Sequence, residues 1–161
     1  MLAAAALGLA CYGCGGNTGS EGKGAAGRQI AGHVMQETVP AAIDPHPQGF
    51  ASADLLHPVN AWRTSNHQRF TEVDAGVVPR DRSIGAFFIF RHDFVHASQR
   101  VDLVKVLGSG PLRITRAPQG AAVETSAQRN GRLSFVGTRG VGGTLDLSDD
   151  TVTLKPARPR H

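Results

Sequence analysis

Sulfur and charge are both scarce in this chain. Of 161 residues only 2 are cysteine and 2 methionine, and charged side chains make up 19%. Both cysteines, Cys11 and Cys14, stand near the N-terminus, which excludes a disulfide framework spread through the domain. A four-cysteine zinc site is excluded by the same count. No run of apolar residues approaches the about 20 needed to cross a bilayer as a helix. No block of like charges appears, so the net charge of +4, carried mostly by scattered arginines, supplies no nucleic-acid-binding arm. No G-x-S-x-G nucleophile elbow is present. Glutamates are few and many alanines cluster at the N-terminus, unlike the composition of a helix bundle.

What is present is turn chemistry. The chain has 20 glycines and 9 prolines, and its length fits one domain with short appendages. A domain of this size buries roughly two-thirds of its unfolded surface, enough for a core without metals or disulfides. From Phe70 onward, short segments rich in β-branched and aromatic residues recur between turn signals. They are "RFTEVDAG", "IGAFFIFR", "RVDLVKVLG", "LRITRAP", "RLSFVG" and "GTLDLSDDTVTLKP", the last breaking into two strands around Ser148 to Asp150. Such spacing predicts an antiparallel all-β sandwich or barrel. In "RVDLVKVLG" the alternation slips between Leu103 and Val104, which predicts a bulge. The stretch "PAAIDPHPQGFASADLLHPVNAW" is broken by Pro40, Pro45, Pro47 and Pro58 and reads as loop, with one helical turn at Ser52 to Leu56. The lone tryptophan, Trp62, reads as a core or rim plug.

The N-terminal "MLAAAALGLACYGCGG" is uncharged and small, with the length of a signal-peptide apolar region. It resembles the start of a bacterial lipoprotein precursor, in which a Leu-x-Ala/Gly-Cys box is cleaved and the cysteine lipidated. The resemblance implies Cys14 or Cys11 as the lipid site. Cys14 has Gly13 before it and a longer apolar stretch; Cys11 has Ala10 before it. The C-x-x-C spacing also admits a redox pair, but no strand precedes it to build the required context. Asn17 to Gly27 is small and polar and reads as a flexible tether. The expected organisation is therefore an anchor segment at 1–14, a linker at 15–27, and a β-rich domain at 28–161. The terminal "KPARPRH" reads as a frayed basic tail.

Residues 73 to 114 carry a second resemblance. Asp74, Gly76, Val78, Phe88, Phe90, Leu103 and Val106 match the pattern of a Hydin/abnormal-spindle-type immunoglobulin-like domain. The family's Asn-x-Gly after the aromatic strand is replaced here by the longer "RHDFVHASQ". The resemblance implies an immunoglobulin-like antiparallel sandwich after a tether, used for binding or spacing.

"FRHDFVHASQRVD" is the one stretch with catalytic spacing. On a helix, His92 and His96 would share a face as zinc ligands, with Asp93 as base and Asp102 as third ligand. Against this, Gln99 stands where a glycine would turn the chain, no methionine follows, and the flanks favour strands. The alternative is a strand, a polar connection from Arg91 to Arg100, and a second strand. The glycine-rich "GTRGVGGT" around Arg139 reads as a hairpin tip. The expectation is an exported, membrane-tethered or secreted envelope protein without cofactor. It would contact a protein or other envelope component through Arg91, His92, His96 and Arg139. A zinc-dependent hydrolase is the competing reading.

Overall fold

A computed structural model describes residues 38–120 and 125–155. The anchor segment with Cys11 and Cys14, the linker, the expected domain start at 28 and the tail from 156 lie outside the described residues. The architecture is the expected all-β sandwich of two antiparallel sheets. Strands β1 (Val39–Asp44), β2 (His57–Ser65), β3 (Arg69–Val78), β4 (Asp81–Asp93) and β5 (Ser98–Val106) form the first sheet in chain order. Strands β6 (Leu112–Arg116), β7 (Arg132–Gly137), β8 (Gly142–Asp146) and β9 (Thr151–Leu154) form the second, again in chain order. A short helix, α1 (Thr125–Asn130), lies between β6 and β7. Each sheet is thus a meander, and the chain crosses between them at 107–111.

Alternation along the strands explains the layers. On β3, Thr71, Val73 and Ala75 point between the sheets, in register with Trp62 on β2 and with Phe87 and Ile89 on β4. Val73, Ala75, Trp62, Phe87 and Ile89 join Leu112, Ile114, Leu133, Phe135 and Leu145 of the second sheet in the main core. Phe87 and Phe135 meet edge-on at 5.1 Å. Trp62 is fully buried, and its indole N–H donates to the Pro118 carbonyl at 2.8 Å. Asn60 spans the sheets: its amide donates to Ile114 O at 2.8 Å and its carbonyl accepts from Ile114 N at 2.9 Å.

The opposite face of the first sheet is covered as well. Phe70, Phe88 and Phe90 are buried there with Leu56, under the segment 45–56 that contributes Phe50, Ala51 and Leu55. Phe50 stacks on Phe90 at 4.8 Å and meets Phe70 edge-on at 5.6 Å.

Three expectations are corrected. Within the stretch 40–62 read as loop, residues 40–44 and 57–62 belong to strands β1 and β2. Pro40 is tolerated because β1 is an edge strand, and Pro58 because it sits beside a register shift near the start of β2. The expected turn at Ser52 does form, with the amides of Leu55 and Leu56 donating to Ser52 O. No bulge interrupts β5, whose register runs unbroken from Gly85↔Val106 to Asp93↔Ser98. Leu103 and Val104 are both apolar because both faces of the sheet are covered: Leu103 packs on the outer aromatic cluster and Val104 on the main core. The connection at 91–100 is also shorter than expected. Arg91, His92 and Asp93 pair with Arg100, Gln99 and Ser98, leaving 94–97 as the turn.

Candidate functional site

The main core ends in charge. On the inward face of β4, Phe87 and Ile89 are followed by Arg91 and Asp93; on β3, Val73 is followed inward by Thr71 and then Arg69. Apolar side chains close the gap between the sheets in the middle, and ionic ones line it at the β4–β5 end. The helix α1 packs there, with Thr71 Oγ1 donating to Gln128 Oε1 at 3.0 Å. The result is a polar cavity of about 390 Å³. Four arginines line it, Arg69, Arg91, Arg100 and Arg129, together with Asp93, Asp150, Ser98, Gln99, Asn130 and Ser148.

Arg91 is the hub. Its guanidinium forks onto Asp150, with Nη1 donating to Oδ2 at 3.0 Å and Nη2 to Oδ1. Nη2 also donates to Leu147 O at 3.0 Å, and Nη1 reaches Asp102 Oδ2 at 3.4 Å. The fork matches the carboxylate, so the pair is directional as well as charged. Arg100 adds bonds from Nε to Asp102 at 2.7 Å and from Nη2 to Asp150 at 3.3 Å. Arg69 pairs with Asp93 at 3.2 Å, while its buried Nε has no hydrogen-bond partner. Asp93 is held down at about 2, first by the His96 amide. Arg100 and Arg129 are exposed at the mouth, and Arg129 faces no carboxylate among the described residues.

The sequence-nominated residues separate here. His92 is buried on the outer face of β4 beside Phe94, and its Nδ1 has no hydrogen-bond partner. His96 is 73% exposed in the turn, its ring 3.1 Å from Asp93. Asp102 pairs with Ile89 in register, three positions from His92, and so lies on the opposite face of the sheet. The strand–turn–strand backbone therefore does not bring His92, His96 and Asp102 together. No group of three or more His, Cys, Asp or Glu among the described residues is arranged to hold a metal. Arg91 is engaged inside the sandwich rather than offered to a partner. Arg139 is exposed at the far end, where its amide donates to Ser109 O at 3.2 Å. The loops around 91–100 and 137–143 thus occupy opposite ends of the molecule.

Arg69, Arg129 and Asp150 were not nominated from sequence as cavity residues. The readable signal was the inward period of two, Phe87, Ile89, Arg91, Asp93, where an apolar stripe turns ionic before the strand ends.

Fold and site together define an antiparallel β-sandwich with an arginine-lined cleft at one end. No protein-family model, curated protein or solved structure matches the chain.

Proposed function

We propose that this chain is a non-enzymatic binding module of the cell envelope, tethered through a lipid on Cys14 or Cys11, with the cleft at the β4–β5 end as its contact region. The observation that carries the reading is the cleft itself, with Arg100 and Arg129 exposed at its mouth above a buried ionic floor. Carboxylates are the matching chemistry. Three arginines there already bind aspartates, and Arg129, which faces no carboxylate among the described residues, suits an incoming acid. A sandwich offers such contacts at its ends while the sheets hold the loops in place. The immunoglobulin-like resemblance of residues 73 to 114 belongs to the same proposal and is compatible with a binding or spacing role. The zinc-hydrolase reading is not carried forward, because its three ligands do not converge.

Two measurements test the proposal. Titrating tri-glutamate peptide into ¹⁵N-labelled protein should shift amides at 98–100, 129–130 and 147–150, with the Arg139 end silent. The shifts should vanish in the Arg100→Glu/Arg129→Glu variant. Shifts at neither end, or equally at both, reject the cleft. Radiolabelled palmitate should enter the wild type and not a Cys11→Ala/Cys14→Ala variant; label in neither rejects the anchor.

A further inference from the structure

Two carboxyl groups lie buried where the alternation of β3 would normally place solvated side chains. Glu72 and Asp74 point to the outer face of the first sheet, and both are buried. Segment 45–56 lies over them. Phe50 N donates to Asp74 Oδ2 at 3.2 Å. Gly49 approaches so closely that an added Cβ would sit 3.0 Å from the same oxygen, and its φ of +41° favours glycine. The other oxygen, Asp74 Oδ1, is buried and accepts no hydrogen bond from any placed donor. A buried carboxylate oxygen without a donor is costly. Two positions away along the same face of β3 is the buried carboxyl of Glu72, which supplies a donor only when it carries a proton.

We propose that residues 45–56 form a flap latched to the sheet by one proton, held on Glu72 and donated to Asp74 Oδ1, and that loss of this proton frees the flap from its aromatic floor. The floor is Phe70, Phe88 and Phe90, on which Phe50 packs. When the proton passes to solvent, two negative charges share a desolvated site, and Asp74 can relieve this by releasing the Phe50 amide and admitting water.

The surroundings do not neutralise a second charge. On β2, Arg63 stands opposite Glu72 in register, but its guanidinium pairs with Asp44 of β1 at 3.3 Å. From β4 the pair meets the rings of Phe88 and Phe90, with His92 one step further along the same face, opposite Phe70. From β5 that face receives Val101 and Leu103, with Lys105 beyond them. The flap contributes the main-chain amide of Phe50 to Asp74, while its own His46 and Asp54 are exposed. Burial first, and then the Asp74 charge, raise Glu72 to about 8; burial likewise raises Asp74. The latch is therefore closed at neutral pH and opens in mild alkali.

The test is amide hydrogen exchange of the full chain, corrected for intrinsic rates, from pH 6.5 to 9.5. Protection at Phe50 should fall by about tenfold per pH unit above about 8 in the wild type. It should stay constant in Glu72→Gln, whose amide donates to Asp74 at every pH. Constant protection in the wild type, or an equal fall in both proteins, overturns the proposal. If Glu72→Gln does not fold, ¹³C-carboxyl titration of wild-type Glu72 replaces it. Its midpoint should coincide with that of the Phe50 amide shift, and separate midpoints overturn the latch.

Discussion

Glu72 faces Arg63 across the β2–β3 ladder and still keeps its proton, because burial outweighs a cation that is half in solvent and already paired with Asp44. The consequence for stability has a definite sign. Its folded value of about 8 lies above the ordinary 4.5, so between those values the folded chain holds a proton that the unfolded chain has lost. That stabilisation is complete below about 4.5 and is lost as pH rises to about 8. Urea midpoints should therefore decline from pH 5 to pH 8.5 in the wild type and decline less in Glu72→Gln. Arg91 illustrates the opposite case, a buried charge with a full set of partners. Arg91→Ala would leave the half-buried Asp150 to Arg100 alone and the Leu147 carbonyl uncapped, and should cost about 2–3 kcal/mol. Arg132 pairs with Asp146 at 2.9 Å but is 76% exposed, so Arg132→Ala should change stability by less than about 1 kcal/mol. Paired denaturation curves for the two variants check the contrast.

At the level of elements, strands rich in β-branched and aromatic residues were legible whether one face or both are covered, and strands that carry a proline were not. From Phe70 onward the run of short strands and turns was readable because β-branched and aromatic residues recur at strand spacing. β1 and β2 were hidden by prolines that an edge position and a register shift accommodate. The bulge expected in β5 was an error of another origin: two adjacent apolar residues imply a slip only if one face is wet. Segment 45–56 accounts for that error, because it turns the outer face of the first sheet into a second interior. It also hid Glu72 and Asp74, which look like an ordinary solvated face. In the cleft, Arg91 and Asp102 were visible as residues, but their grouping with Asp150 depends on packing between the sheets. The flap should be sensitive at its closest approach. Gly49→Ala adds a Cβ against Asp74 at a positive φ and should cost about 1–2 kcal/mol, with the loss of amide protection concentrated at 45–56.

For the molecule as a whole, two successive meanders are held face to face by their shared apolar core and by a few polar side chains that bridge them. Asn60 is one, because both of its hydrogen bonds go to the Ile114 main chain. Asn60→Ala leaves a buried amide and carbonyl of β6 without partners and should cost about 2–4 kcal/mol. The loss should be the same by Trp62 fluorescence and by far-ultraviolet circular dichroism, since Trp62 lies in the core that both sheets share.

The isolated bridge between Ala41 and Gly120 has a mechanical meaning. It lies on the same side of the sandwich as the Asn60 and Trp62 bonds, so that margin is bound like the spine of a book, by neutral, directional ties. Along the fore-edge, between β5 and the β8–β9 turn, the polar ties are ions: Arg91 and Arg100 clasping Asp150. Added salt can weaken the clasp where it meets water and leaves the spine untouched. The covers should therefore part from one side, and they should part at the cleft.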